Sequence, residues 1–127
     1  MVYIAPGGKQ LKVLGEKNPY IHISDEKPYK GLKPSINVMI KSISELKECS
    51  KKIIIAIMTG MGSDGVEGVQ ELKGSNNQCK VIAQDEESCT IYGMPKSIID
   101  AGLADYVVSD DYIVEIIKKI VGDRNGC

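Results

Sequence analysis

The longest run of strongly apolar residues in the chain covers residues 53–58 (IIIAIM) and is rich in β-branched isoleucine. Such a run is typical of a strand that is buried on both faces of a parallel sheet. A glycine-rich turn, TGMGSDG, follows at residues 59–65. The next segment places Val66, Val69 and Leu72 at helical spacing. The pattern therefore predicts a central strand, a tight turn and a helix, which is where α/β proteins place their functional sites.

The rest of the chain shows alternating strand and helix patterns. Residues 2–5 and 11–14 are predicted to form an N-terminal β-hairpin around a Pro-Gly-Gly turn, and residues 20–24 alternate as a further strand. After residue 34 the order becomes α-β-α-β-α-β-α, which predicts an α/β, Rossmann-like three-layer fold with helices on both faces of a parallel sheet. Two apolar stripes are predicted to face the core: Ile36, Met39, Ile40, Ile43 and Leu46 in the first helix, and Ile113, Ile116, Ile117 and Ile120 in the last.

Length and charge restrict the class of protein. A chain of 127 residues has room for one domain, which we expect to span residues 1–127. Sixteen basic and 17 acidic side chains give no reason to expect a nucleic-acid partner. No segment is long enough to span a membrane and the N-terminus lacks a secretory apolar region, so we expect a cytoplasmic protein without membrane insertion.

Metal and thiol chemistry are not expected. The cysteines Cys49, Cys79, Cys89 and Cys127 form no C-x-x-C pair, and His22 is the only histidine. A zinc site is therefore disfavoured, and we expect no metal and no cofactor. Cys89 is interpreted as a small packed residue, and the acidic run at residues 85–87 as a solvated loop.

The glycine turn allows two interpretations. Gly60, Gly62 and Gly65 satisfy G-x-G-x-x-G, and Asp85 follows the next predicted strand, which is the dinucleotide-binding pattern. Against this, Asp64 places a negative charge at the N-terminus of the helix, where a pyrophosphate would bind. In the second interpretation the Asp64 carboxylate is the functional group and orients a catalytic histidine.

Several segments in order resemble one family. The segments YIAPGG (residues 3–8), KPSINVMIKS (33–42), TGMGSDG (59–65), AQDEESCTIYGMP (83–95) and AGLADYVV (101–108) are similar to the catalytic domain of chemotaxis protein-glutamate methylesterases of the CheB type. The resemblance implies that Asp64 is the third member of a Ser-His-Asp triad. It also implies two sets of residues around the site: Gly60, Met61, Gly62 and Gly65 in the active-site and oxyanion loop, and Tyr92, Gly93 and Met94 beside it.

In this family the nucleophilic serine and the histidine precede the segment that matches YIAPGG. We therefore expect a truncated domain, its C-terminal portion only, which is inactive alone. His22 is interpreted as a solvent-facing strand residue and Ser63 as a polar loop residue, so neither is expected to replace the missing groups. Gly31-Leu32 stands where the family usually has Gly-His, which points to relaxed constraint on activity.

Three hypotheses follow for the function. The first is a partial methylesterase that acts on glutamate methyl esters, and on glutamines by deamidation, in the cytoplasmic helices of methylated chemoreceptors. The second is a non-catalytic module that binds a receptor or another signalling partner, and the third is a dinucleotide-binding domain. The expected partners are the receptor helices, a missing N-terminal half or receiver domain, and a second copy of the chain. The missing half or the second copy is expected because an uncovered parallel strand exposes unpaired backbone groups that can bind another strand.

Overall fold

A computed structural model describes residues 1–46, 51–76 and 78–122 of the chain. The elements in chain order are β1 (Gln10–Leu14), β2 (Tyr20–Ser24), α1 (Ile36–Ser44), β3 (Ile53–Ile57), α2 (Val66–Ser75), β4 (Cys79–Gln84), α3 (Gly93–Asp100), β5 (Tyr106–Val108) and α4 (Asp110–Gly122). They group into two compact units: the first comprises Met1–Lys51 and Asp64–Gln78, and the second Lys52–Ser63 and Cys79–Cys127. The single domain over residues 1–127 stays a prediction.

The hairpin of the first unit differs from the predicted one. Strands β1 and β2 pair antiparallel, from Gln10 opposite Ser24 to Leu14 opposite Tyr20. Residues 2–5 form no strand, and Val2 and Ile4 are 89% and 87% exposed, so the predicted pairing of residues 2–5 with 11–14 is wrong. Strand β2 is the partner instead, and all five of its residues lie opposite residues of β1.

Helices α1 and α2 pack against each other in the first unit. Ile40 of α1 and Val69 and Leu72 of α2 are almost completely buried. Gly68 makes the close approach possible, because a Cβ atom at this position would lie 2.9 Å from the Cβ of Ile40. Ser42 connects α1 to the hairpin, since its hydroxyl accepts a hydrogen bond of 2.9 Å from the backbone N–H of Val13.

The second unit contains a parallel sheet in the order β3-β4-β5. Its central strand is β4, in which Val81, Ile82 and Ala83 have no exposed surface. The prediction that residues 53–58 form the central strand, buried on both faces, is wrong: β3 is an edge strand of this sheet and its Ala56 is exposed. An apolar run indicates that a strand is largely buried, but the run does not identify its neighbours.

The helices of the second unit cover this sheet. Helix α3 contacts β3 and β4, and α4 contacts β4 and β5. Ile113 and Ile120 of α4 form a core with Ile82, and Ile116 and Ile117 pack against it, so the predicted apolar face of α4 is confirmed. Helix α3 begins at Gly93, two residues before the predicted start at Pro95.

The predicted α/β class is confirmed, with a three-stranded parallel sheet and four helices in the described residues. Pro95 is tolerated in the first turn of α3 because an amide there needs no helical partner. Within the same residues, none of the helices has the length and apolar character needed to cross a membrane.

Candidate active-site loop

The TGMGSDG loop divides between the two units. Residues 59–63 belong to the second unit, and Asp64 and Gly65 belong to the first. Each part is therefore described with the residues of its own unit.

The Asp64 carboxylate accepts three hydrogen bonds at the start of α1. Its Oδ2 accepts from the backbone N–H of Ile36 at 2.7 Å, and its Oδ1 accepts from the N–H of Asn37 at 3.1 Å and from the Ser35 hydroxyl at 2.9 Å. Asp64 therefore caps α1 from a distant part of the chain. Asp64 lies just before α2, as predicted, but its carboxylate binds the N-terminus of α1. Ser35 is the N-cap residue of α1, and its hydroxyl donates to Asp64 instead of capping the helix.

Asn37 caps α2 in return. Its side-chain Oδ1 accepts hydrogen bonds from the backbone N–H of Gly65 at 3.1 Å and of Gly68 at 2.8 Å. The side chain is buried, as is expected for a polar group whose oxygen is fully used. Asn37 was not among the predicted site residues, although a polar residue beside the apolar positions of the first turn of α1 was a signal for it.

The other part of the loop joins the segment before α3. The N–H of Gly60 donates to the carbonyl of Ile91 at 2.9 Å, and the carbonyl of Gly60 accepts from the N–H of Met94 at 2.9 Å. The Thr59 hydroxyl donates to the Ile91 carbonyl at 3.0 Å and accepts from the Ile91 N–H at 2.8 Å. These bonds fix the turn against Ile91 and against Met94, one of the predicted flanking residues.

A glycine, Gly93, lies where these two segments approach each other closely. A Cβ atom at Gly93 would lie 3.1 Å from the backbone nitrogen of Gly62 and 3.2 Å from the carbonyl oxygen of Gly60. Met61 is 79% exposed, and Tyr92 is partly buried and precedes the first residue of α3. The structure thus brings Gly60, Met61 and Gly62 together with Gly93 and Met94, and their role in an active site stays a prediction.

Gln84 anchors this part of the loop and was also missed. Its Oε1 accepts from the N–H of Thr59 at 2.8 Å, and its Nε2 donates to the carbonyl of Ser88 at 2.9 Å. The Gln84 side chain is buried at the carboxyl end of the central strand. A glutamine that ends an otherwise apolar strand was the available signal.

Asp85 and the acidic run have local roles. The Asp85 carboxylate accepts from the N–H of Ser88 at 3.0 Å and from its hydroxyl at 2.7 Å, whereas Glu86 and Glu87 are exposed. The interpretation as a solvated loop is confirmed for the two glutamates. Among the described residues, no group of three His, Cys, Asp or Glu side chains could hold a metal ion.

The other candidates for nucleophile or base lie at the surface or are unreactive. His22 is exposed on β2 opposite Lys12, and Ser63 is exposed. Burial raises the pKa of the Cys89 thiol, with further contributions from Asp85 and Asp110, which disfavours the thiolate. Cys49 and Cys127 lie outside the described residues.

An ionic cluster also joins α1 and α2. The Glu67 carboxylate accepts from the Tyr29 hydroxyl at 2.6 Å and from the Lys41 ammonium at 3.2 Å, and it pairs with Lys30. These hydrogen bonds, first that from Lys30, lower the pKa of Glu67 from 4.5 to about 2. The hydrogen bond to Tyr29 is the largest cause that raises the pKa of Lys41.

The fold and the loop define an α/β protein with an aspartate-bearing glycine turn after a parallel strand. The chain belongs to the CheB methylesterase family, whose model matches residues 1–117.

Individual relatives agree with this assignment. The chain is 46% identical over 120 residues to a protein-glutamate methylesterase/protein-glutamine glutaminase of Lawsonia intracellularis, and 43% identical over 121 residues to one of Halalkalibacterium halodurans. Each alignment covers 94% of this chain. The crystal structure of the Thermotoga maritima CheB methylesterase catalytic domain superimposes with a TM-score of 0.78 at 32% identity.

The chain covers only part of the length of each relative. The chain spans 32% of the Lawsonia protein and 34% of the Halalkalibacterium protein. It covers 60% of the solved Thermotoga chain, and 94% of the present chain is aligned there. The chain therefore resembles the CheB methylesterase catalytic domain over only part of that domain.

Proposed function

We propose that this chain supplies the aspartate of a Ser-His-Asp triad in a protein-glutamate methylesterase. The observation that carries the proposal is the Asp64 carboxylate, which three donors of α1 hold in one orientation. A carboxylate fixed in this way suits a residue that sets the tautomer of a histidine and stabilises the imidazolium. The serine and histidine are supplied by the remaining portion of the family domain, on the same polypeptide or another.

In this mechanism the serine oxygen attacks the carbonyl carbon of a glutamate methyl ester while its proton passes to the histidine. The histidine returns that proton to the departing methoxide, so that methanol leaves and an acyl-enzyme remains. Water then hydrolyses the acyl-enzyme to the glutamate carboxylate and free serine. Backbone amides of the glycine turn around Met61 stabilise the oxyanion, and a glutamine side chain follows the same route with loss of ammonia.

The substrate in this proposal is a methylated helix in the cytoplasmic part of a chemoreceptor, which places the protein in the cytoplasm. Support comes from the family and from the names of the relatives, which give both the methylesterase and the glutaminase activity. A dinucleotide is disfavoured as an alternative ligand. The Gly65 and Gly68 amides at the start of α2, where a phosphate would bind, already donate to Asn37.

The remaining portion of the family domain, which supplies the serine and histidine, is proposed to pair with β3. No strand of the described residues pairs with β3 on the side away from β4, and an edge strand rich in isoleucine is a template for another strand. If the missing portion or a second copy pairs there, the amides of residues 53–57 exchange more slowly in the complex than in the isolated chain. A monodisperse monomer at high concentration would exclude the second copy.

The function is tested by complementation. The chain is mixed with the serine- and histidine-containing N-terminal portion of a relative's catalytic domain, and methanol release from methylated receptor membranes is measured. We expect release only from the mixture, and a loss of about 10⁴-fold with Asp64→Asn because the histidine tautomer is no longer fixed.

Asp100→Asn is the matched control for this experiment. Its carboxylate is exposed and pairs with Lys96 on α3, so its loss should leave the rate unchanged. If the mixture with the Asp64→Asn variant releases methanol as fast as the mixture with the wild-type chain, the triad proposal is wrong. Binding of the chain to receptor membranes without any restored release would favour the non-catalytic binding module.

A further inference from the structure

One residue, Asn37, binds both the side chain of Asp64 and the N–H of the peptide unit that follows it. The backbone N–H of Asn37 donates to the Asp64 carboxylate at 3.1 Å, and the side-chain Oδ1 of Asn37 accepts from the N–H of Gly65 at 3.1 Å. The same oxygen also accepts from the N–H of Gly68 at 2.8 Å. Asn37 thus fixes the side chain of residue 64 and the backbone immediately after it.

The backbone at this point depends on an external constraint. Gly65 has a φ angle of +110°, outside the range of ordinary residues, and precedes α2 without a side chain that could cap it. The cap comes from Asn37 instead, and Gly68 lets α1 approach closely enough for the bond to form. A rotation of the chain at Gly65 would carry the Asp64 side chain away from the amides of α1.

We infer that Asn37 is a positioning residue for Asp64: it holds the carboxylate in the orientation in which it accepts a hydrogen bond from a histidine. The role of Asn37 in catalysis (its catalytic meaning) rests on the proposed function. Its role in holding the Asp64 carboxylate (its structural meaning) rests on the hydrogen bonds alone. A residue that served only as a helix cap would stabilise the first unit without affecting the contacts of Asp64 in particular.

The structural meaning is tested on the 127-residue chain by amide hydrogen exchange. Asn37→Ala removes the acceptor that the Gly65 and Gly68 amides share. We expect exchange at Gly65 to increase by about tenfold for its lost hydrogen bond, and exchange at Ile36 to increase as well because the Asp64 carboxylate is no longer held in place. Ser42→Ala is the matched control, since Ser42 is buried on the same helix and accepts one backbone N–H, from Val13. If Asn37→Ala does not fold, Asn37→Ser replaces it.

The conservative variant Asn37→Asp keeps an acceptor oxygen for Gly65 and Gly68 and should restore slow exchange. If exchange at Ile36 is no faster in Asn37→Ala than in Ser42→Ala, the positioning role is overturned. The same result follows if Asn37→Asp exchanges as fast as Asn37→Ala.

The catalytic meaning is tested in the complemented mixture. We expect Asn37→Ala to lower kcat for methanol release at least tenfold with KM for the receptor unchanged, and Asn37→Asp to recover it. Equal losses in Asn37→Ala and Ser42→Ala would overturn the inference while the triad proposal stands. If the wild-type chain restores no activity in the mixture, the proposed function is refuted. The hydrogen-exchange data would then still decide whether Asn37 positions Asp64.

Discussion

The two units hold their parts of the TGMGSDG loop by different means. In the first unit the Asp64 carboxylate and the Asn37 amide bind the N-termini of two helices, and the Glu67 carboxylate joins the same helices. In the second unit the loop is held by backbone hydrogen bonds and by the neutral side chain of Gln84. The first arrangement depends on charge and on helix separation, whereas the second depends on amide geometry.

The dependence on helix separation can be broken at Gly68. We expect Gly68→Ala to lower the free energy of unfolding by about 2–3 kcal/mol, because the new methyl group would lie 2.9 Å from the Cβ of Ile40 and 3.2 Å from the carbonyl oxygen of Asn37. Urea unfolding measures the change. Gly74→Ala is the control on the same helix, since no atom lies within 4 Å of its added Cβ and alanine is the better helix former. A Gly68→Ala variant as stable as Gly74→Ala would show that the helices separate without cost.

The second unit can be weakened through one neutral amide. Gln84→Leu leaves the N–H of Thr59 without its acceptor, and we expect a loss of about 1–2 kcal/mol in the free energy of unfolding. Exchange at Thr59 and Gly60 should increase, whereas exchange at Ile36 should not. Gln70→Leu, on the exposed face of α2, is the control and should change stability by less than about 0.5 kcal/mol. Equal effects of the two substitutions would contradict the anchoring role of Gln84.

Lowering the pH should destabilise the first unit through Glu67, and we expect this to be the smallest of the three effects on stability. The pKa of Glu67 is lower in the folded chain, about 2, than its usual 4.5, so its contribution to stability is present above pH 4.5 and is lost as the pH falls towards 2. Glu67→Gln should therefore flatten the fall in the urea midpoint between pH 5 and pH 2. The contribution is modest because the Glu67 side chain is 40% exposed and its ion pairs are screened by solvent. Glu86→Gln, an exposed glutamate of the second unit, should leave the curve unchanged. If Glu67→Gln and the wild-type chain give identical curves, the ionic cluster does not contribute to the difference between the two units.

The elements that the sequence predicted well are those whose own residues carry the signal. Helix α4 was predicted because its isoleucines recur on one face, and the glycine turn because its residues mark a strand-to-helix connection. Gly60 contacts Ile91 and Met94, and the family resemblance covers both of these segments of the chain. Local periodicity and an ordered set of motifs were enough for these parts.

The errors concern partners that lie far apart in the chain. An alternating strand does not specify which strand it pairs with, so the pattern predicts pairing with residues 2–5 where the structure has β2. For the same reason the apolar run predicts a central strand, whereas β3 lies at the edge of the sheet. Asp64 was assigned to the helix that follows it, but its side chain reaches the N-terminus of α1, 27–29 residues earlier. A hydrogen bond between two helices leaves no periodic signal in either sequence.

The reciprocal caps have a consequence for how the chain folds. The start of α1 is completed by a residue beside α2, and the start of α2 by a residue of α1. Since the first turn is the costly step in forming a helix, neither helix reaches its full stability before the other is docked. The two helices are therefore expected to form as one cooperative event, and the Asp64 carboxylate acquires its orientation in that same event.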